Sequence, residues 1–268
     1  MKIINKLCAI LTLSFSLMLG SSAALAGPIT QLGFILDASG SISTSNYNLM
    51  RSGLNSALAG LPADGSVEIS IVSYSNSTTT VVSPTILTAL TLPTIQSAIS
   101  SHIKSGGGTD TAEAITSMTS LLTGSSVFSD PETKSLINLL TDGAPDSQSA
   151  AVAASIAAAS AGIDALSIEA IGSGVSSPSA LNNMLAMTFP TPATILAVNQ
   201  SSNIPNPIGG SWVVPVSDFD SLAPVLAAKV LASVTPPSNQ VPEPSVLALI
   251  AIGLLSGMGI TARKRKNH

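Results

Sequence analysis

Three short segments of this 268-residue chain place oxygen-bearing side chains beside glycine. The first is Asp37-Ala38-Ser39-Gly40-Ser41, the second Gly106-Gly107-Gly108-Thr109, the third Thr141-Asp142-Gly143. They offer two carboxylates, Asp37 and Asp142, and the hydroxyls of Ser39, Ser41 and Thr109. Alternation in Asp37-x-Ser39-x-Ser41 lets several oxygens turn toward one point, and the glycines let the backbone bend closely around it. No His or Cys joins them. An all-oxygen set suits a hard cation, Mg2+ first, then Mn2+ or Ca2+. Asp110, Glu113 and Asp146 lie nearby in sequence. Such groups either tune a site or serve the first turn of a helix, where carboxylates are favourable. Helix-start duty is the expectation for Glu113 and Asp146, and Asp110 is open between the two.

Other chemistries lack their parts. A Ser–His–Asp triad needs a positioned imidazole, and the chain has only His102 and His268. His102 ends an expected helix beside Lys104, where a capping or solvated role is expected. No G-x-S-x-G elbow occurs. Gly106-Gly107-Gly108-Thr109-Asp110 lacks the lysine of a phosphate-binding loop, and Gly172-Ser173-Gly174 is only half of a dinucleotide fingerprint. The single cysteine, Cys8, lies in the amino-terminal segment, so a disulfide framework or thiol nucleophile in the mature chain is excluded. The expectation is a protein without catalytic activity.

The elements that must position these oxygens alternate between strand and helix. Gln31–Leu36 reads as an apolar strand ending at Asp37. Thr44–Leu58 reads as a helix, with Tyr47, Met50, Leu54 and Leu58 at helical spacing. Val67–Tyr74 and Thr78–Val82 read as a hairpin, hence an antiparallel edge. Thr94–His102 and Thr111–Leu122 read as helices, and Ser135–Leu140 as a buried strand ending at Thr141-Asp142. Then follow an Ala-rich helix over Ser147–Ala161, a strand over Ile163–Ile171, a helix over Ser179–Met187 and a strand over Trp212–Val216. Pro215 argues for an edge position. Asp218 is placed as the N-cap of a last helix carrying Phe219, Leu222, Leu226 and Val230 on one face. The segment from Pro190 to Gly210, rich in Pro, Asn and Ser, has no assignable element. The fold class is α/β, a doubly wound, mostly parallel sheet with helices on both faces. In such sheets ligands bind beyond the carboxyl ends of strands, where strand order reverses. Each candidate segment follows a strand or a loop of that kind.

Composition sets the surroundings. Charged residues are 9 % of the chain, against about 25 % in an average soluble domain. Between Gly27 and Gln240 there are 13 Asp and Glu against 4 Lys and Arg, so a broad basic nucleic-acid surface is excluded. Lys2 and Lys6, an apolar run and Ala24-Leu25-Ala26 read as a secretory signal peptide over residues 1–26. Residues 235–240 read as an extended linker. At the other end, Val241-Pro242-Glu243-Pro244 precedes an apolar run over 245–262 and then Arg263-Lys264-Arg265-Lys266. Such a run is just long enough to span a bilayer, with the basic cluster staying cytoplasmic.

Two resemblances gather these observations. Residues 29–234, with Asp37-Ala38-Ser39-Gly40-Ser41, Gly107-Gly108-Thr109 and Thr141-Asp142-Gly143 in order, resemble a von Willebrand factor type A domain. The segments match that family's metal-ion-dependent adhesion site. The resemblance implies a six-stranded sheet with one antiparallel edge. It also implies hydroxyl ligation by Ser39, Ser41 and Thr109, and direct or water-mediated binding by Asp37 and Asp142. A protein partner's Asp or Glu would complete the shell of the ion. Residues 241–268 resemble the PEP-CTERM sorting tail. That implies recognition by an exosortase at the inner membrane, transient or lasting anchoring by the C-terminal segment, and delivery to the surface or extracellular matrix, often with exopolysaccharide. A different role, as a metal-independent structural component of such a matrix, also suits the sparse charge. Asn76-Ser77-Thr78 and Asn199-Gln200-Ser201 match the N-glycosylation pattern.

Overall fold

The computed structural model describes residues 29–235. The expected signal peptide, nearly all of the linker and the sorting tail lie outside the described residues. Among the described residues no helix is long and apolar enough to cross a membrane.

The chain runs β1 (Thr30–Asp37), α1 (Thr44–Ala59), β2 (Asp64–Tyr74), β3 (Thr78–Thr88), α2 (Leu92–Ser101), α3 (Thr111–Thr123) and β4 (Lys134–Thr141). It continues through α4 (Gln148–Ser160), β5 (Ala165–Ile171), α5 (Pro178–Leu185), β6 (Thr194–Ile195), β7 (Trp212–Val216) and α6 (Leu222–Val234). The strands form one sheet in the order β3-β2-β1-β4-β5-β7-β6. Only the β2–β3 pair is antiparallel. After β1 the chain goes outward to β2 and β3, then crosses to β4 on the other side of β1. The strand order therefore reverses between β1 and β4, whose ends carry Asp37 and Thr141. That crevice is where the topology leaves room for a ligand.

Period-two alternation divides the core. Leu32, Phe34 and Leu36 of β1 face Tyr47, Met50, Leu54 and Leu58 of α1 and Leu222, Leu226 and Val230 of α6. Ile35 faces the other layer, with Ile115, Met118 and Leu122 of α3 and Ala151 and Ala158 of α4. At Gly33 a Cβ would lie 2.5 Å from Met118 Sδ, so α3 packs on β1 where any side chain would make Met118 shift.

The sheet has seven strands where six were expected. The additional one, β6, is two residues long and lies within the Pro190–Gly210 segment. It pairs Thr194 and Ile195 with Trp212 and Val213. Two exposed residues among prolines carry no period-two signal. Pro215 accordingly does not lie on a bare edge strand. The amide of Asn199 donates to its carbonyl at 2.8 Å, on the side away from β5, and β6 has already ended there. β3 extends to Thr88 through Pro84, which sits in a register shift opposite β2 between the Ile71–Val82 and Ile69–Thr85 pairs. An edge strand tolerates the missing donor. The last helix begins at Leu222 rather than after Asp218. Asp218 Oδ1 accepts from the Ser221 amide at 2.8 Å and caps the turn that leads into it.

α6 is also held by charge. Lys229 Nζ lies 2.5 Å from Glu169 Oε1 of β5, and both side chains are fully buried. The ammonium stands 4.8 Å from the centroid of the Trp212 ring. Burial pushes the Glu169 carboxyl up and the Lys229 ammonium down from their ordinary values, and each opposes the shift of the other.

Candidate metal centre

Asp37 is the last residue of β1 and is wholly buried. Its Oδ1 accepts the Ser39 amide at 2.8 Å, and its Oδ2 accepts the Thr141 hydroxyl at 2.7 Å. One carboxylate thus shapes the turn after β1 and ties it to the end of β4. The turn carries Ser39, whose hydroxyl lies 3.0 Å from that of Ser41. Ser41 Oγ donates to Asp142 Oδ1 at 2.7 Å. The row runs from buried Ser39 to exposed Ser41, so it opens to solvent at one end.

Thr109 reaches the same place from a loop. A Cβ on Gly143 would lie 3.9 Å from Ser41 Oγ and 4.0 Å from Thr109 Oγ1, so both hydroxyls overlook one glycine. The loop is stitched to its surroundings by backbone. The Gly106 amide donates to Ala38 O at 2.8 Å, the Gly40 amide to Gly107 O at 2.8 Å and the Asp110 amide to Ser75 O at 2.9 Å. Gly106 and Gly107 adopt φ of 75° and 110°, a region that favours glycine.

Of the acidic neighbours, Glu113 lies in the first turn of α3 as expected, and Asp146 departs from expectation. Asp110 caps α3, its carboxylate accepting the Glu113 amide at 3.1 Å. Asp146 is not the cap of α4, since that is Ser147. Asp146 Oδ2 accepts the Thr109 amide at 2.9 Å, and the Asp146 amide donates to Thr109 O at 2.9 Å. It is a clamp on Thr109. Asn76 Oδ1 accepts the Gly108 amide at 2.5 Å, and Asn199 bonds Ser217 through both its amide atoms. The asparagines of both glycosylation tripeptides are therefore engaged in loop geometry. Thr141, unassigned in the sequence, is the hydroxyl that fixes Asp37.

Burial pushes the Asp37 carboxyl above its ordinary value. Hydrogen bonds from Ser39 and Thr141 oppose the shift, and the charge of Asp142 adds to it. Among the described residues, the two ion pairs lie elsewhere, at Lys134–Asp164 and Lys229–Glu169. Among the described residues no three His, Cys, Asp or Glu side chains form a metal-sized group. Any ion held here depends on hydroxyls beside Asp37 and Asp142. The donor chemistry fits a hard divalent cation: five oxygen-bearing side chains on three loops, with a buried carboxylate held by an amide and a hydroxyl and no cation paired with it among the described residues.

His102 caps the end of α2, its ring 6.2 Å from that of Tyr47 and its carbonyl accepting from Arg51. Burial and the Arg51 charge lower its pKa. Gly172-Ser173-Gly174 leads into a short 3-10 turn after β5.

The family model of the von Willebrand factor type A domain matches residues 31–206, and that of the PEP-CTERM protein-sorting motif matches residues 240–266. β7, which joins β5 to β6 in the sheet, and the helix α6 lie beyond the first match. No curated protein matches this chain significantly. Among solved structures, proximal thread matrix protein 1 from the mussel byssus, with a zinc-occupied MIDAS motif, is similar at TM-score 0.56 and 15 % identity, over 76 % of this chain and 48 % of that one. The pilus adhesin SpaC from Lactobacillus rhamnosus GG gives 0.57 and 14 %, over 76 % and 30 %. A von Willebrand factor type A protein from Catenulispora acidiphila gives 0.56 and 16 %, over 76 % and 42 %. This chain spans about half of the mussel protein and less of the other two. At such identities the likeness is one of fold.

Proposed function

The chain belongs to the von Willebrand factor type A domain family, and from that premise we propose that it binds one divalent cation and uses it to hold an acidic side chain of a protein partner. Ser39, Ser41 and Thr109 contribute hydroxyls. Asp37 and Asp142 contribute carboxylate, directly or through water, and orient those waters. Mg2+ is the first candidate, then Mn2+ or Ca2+. Bound there, the ion supplies a Lewis-acidic position that a partner's carboxylate can fill.

The supporting observation is Asp37, a fully buried carboxylate satisfied by an amide and a hydroxyl and by no cation among the described residues. Its row of hydroxyls leads outward to exposed Ser41. Neutral hydroxyls leave the charge of an ion only partly cancelled, so a further anion is attracted. The protein orients and binds without making or breaking a covalent bond.

The sorting motif at 240–266 marks the chain for export and surface display through its C-terminal end. The reading places a leader at residues 1–26, the binding domain at 29–234, a linker at 235–240 and an exosortase-recognised tail at 241–268. A metal-independent place in an exopolysaccharide matrix is the second reading, supported by the scarcity of charge.

Calorimetric titration of Mg2+ and Mn2+ into the full chain tests the metal. One ion per chain, with uptake lost in Asp37→Ala, is the expected result. Equal uptake by that variant would remove the site assignment. No uptake by the wild-type chain would leave the matrix reading, to be followed by glycan binding in the presence of chelator.

A further inference from the structure

The described residues include four Lys and Arg among 13 Asp and Glu, and three of the four cations are engaged. Lys134 lies 3.6 Å from Asp164. Lys229 is paired with Glu169 inside the core. Arg51 donates to the carbonyls of Ile99, Ser100 and His102 at the end of α2, and to Asn48. Lys104 alone has neither an ion pair nor a hydrogen bond among the described residues. In so acidic a domain an ammonium has many carboxylates to choose from.

Its position gives that freedom a meaning. Lys104 Nζ lies 3.7 Å from where a Cβ on Gly106 would stand. The Gly106 amide donates to the carbonyl of Ala38, the residue between Asp37 and Ser39. The ammonium therefore lies beside the glycine loop that runs on to Thr109, in a pocket shared with Thr44, Asn48 and Arg51 at the start of α1, and it forms an ion pair with no carboxylate among the described residues. The backbone on its C-terminal side is held by the contacts to Ala38 and Gly40, and Ser105 Oγ donates to Ser75 Oγ at 2.9 Å. Ile103, next to it, is 82 % exposed. Asp110, Asp142 and Asp146 supply the opposite charge on the surrounding loops.

We propose that Lys104 is a second anchoring point for the ligand, which is a peptide segment carrying two nearby carboxylates, one for the ion and one for this ammonium. This rests on the metal reading above. An acidic rim repels a polyanionic segment except at the ion and at the corner where Lys104 shares a pocket with the carbonyl-bound Arg51. Two positive points in a negative field fix the direction and register of what binds, a contribution to specificity more than to affinity. In an extended peptide alternate side chains share one face about 7 Å apart. Glu-x-Glu is thus the simplest ligand pattern, with Ile103 offering apolar contact alongside. The competing explanation is that Lys104 only balances the charge of the centre.

The test compares two synthetic peptides of equal length in Mg2+, one with a single Glu in a Ser/Gly background and one with Glu-Ser-Glu. Binding to the full chain is read by fluorescence anisotropy, and Mg2+ uptake by calorimetry. The two-acid peptide should bind about three- to fivefold more tightly, the scale of a part-exposed ion pair. Lys104→Ser should erase that preference, Lys104→Glu should reverse it, and added salt should shrink it. Mg2+ uptake should be unchanged in Lys104→Ser. Equal binding of the two peptides by the wild type, failure of both to bind, or a preference that survives Lys104→Ser would overturn the proposal and leave the metal reading standing. So would tighter Mg2+ uptake in Lys104→Ser with no change toward peptide, the mark of mere charge balance. Absence of Mg2+ uptake by the wild-type chain would overturn the metal reading and this proposal with it.

Discussion

Asp37 and Glu169 are both carboxylates sealed from water in the same sheet, and the chain treats them in opposite ways. Glu169 sits within β5 and meets an ammonium on α6, backed by the Trp212 ring. Asp37 sits at the tip of β1 and meets one amide and one hydroxyl. Dipoles stabilise a charge without cancelling it, whereas a counter-charge cancels it. The contrast separates a carboxylate neutralised by an ammonium from one that only dipoles satisfy. Burial raises the pKa of both carboxyls, and among the described residues only Glu169 has a positive partner.

Breaking the complete pair should have the largest effect. Lys229→Ala leaves Glu169 buried and alone, which typically costs about 3–5 kcal/mol. Chemical denaturation should show that loss. Glu169→Leu combined with Lys229→Met should recover most of it, since well-packed apolar replacements of buried pairs are often neutral or stabilising. A double variant as unstable as the single one would mean that the pair contributes something apolar packing cannot.

A smaller effect is expected at the open site. Asp146→Ala removes the acceptor that holds the Thr109 amide while leaving the five proposed ligands in place. Groups that orient metal ligands typically contribute about 10–100-fold in affinity. Calorimetry should show Mg2+ binding weakened on that scale and stoichiometry unchanged. Wild-type affinity would mean that the other stitches of the loop suffice.

The smallest effect is one of pH. With Asp37 raised, the folded state without metal holds its proton to higher pH than the unfolded chain does. The stability linked to this group is complete below the ordinary value of 3.8 and is lost as pH rises through the raised one. Denaturation in chelator should show that decline, and Asp37→Asn should flatten it. A cation at the site favours the ionised form and should reverse the trend in wild type alone.

Much of the architecture was legible because its signals are local. The α1 stripe of Tyr47, Met50, Leu54 and Leu58 is buried as its spacing requires. The strand ending at Asp37 and the strand ending beside Asp142 bring those residues to one crevice through parallel pairing with a fixed register. What escaped was set by distance along the chain. Asp146 reaches back 37 residues to Thr109, and Asn76 forward 32 to Gly108. Asp146 reads in sequence as a helix-start carboxylate and Asn76 as part of a glycosylation tripeptide, and neither reading points to a distant loop. Glu169 alternates with Ile168 and Ala170 as a solvent-facing residue would, yet β5 is covered on both faces. Its partner is visible only once α6 is docked. The two residues of β6 are too few for any periodicity.

Pro84 has a consequence for how these molecules behave when crowded. β3 is an edge strand of 11 residues, rich in threonine and serine and without a charged side chain. Many proteins keep such edges apart by repulsion between lysines. A chain with so few charges has little of that repulsion available. Here the interruption is steric: a missing donor at Pro84 and a register shift beside it break the row to which a neighbouring molecule would add its own strand. The guard on this edge is therefore written into the backbone of one strand, where a more highly charged domain would write it into its surface potential.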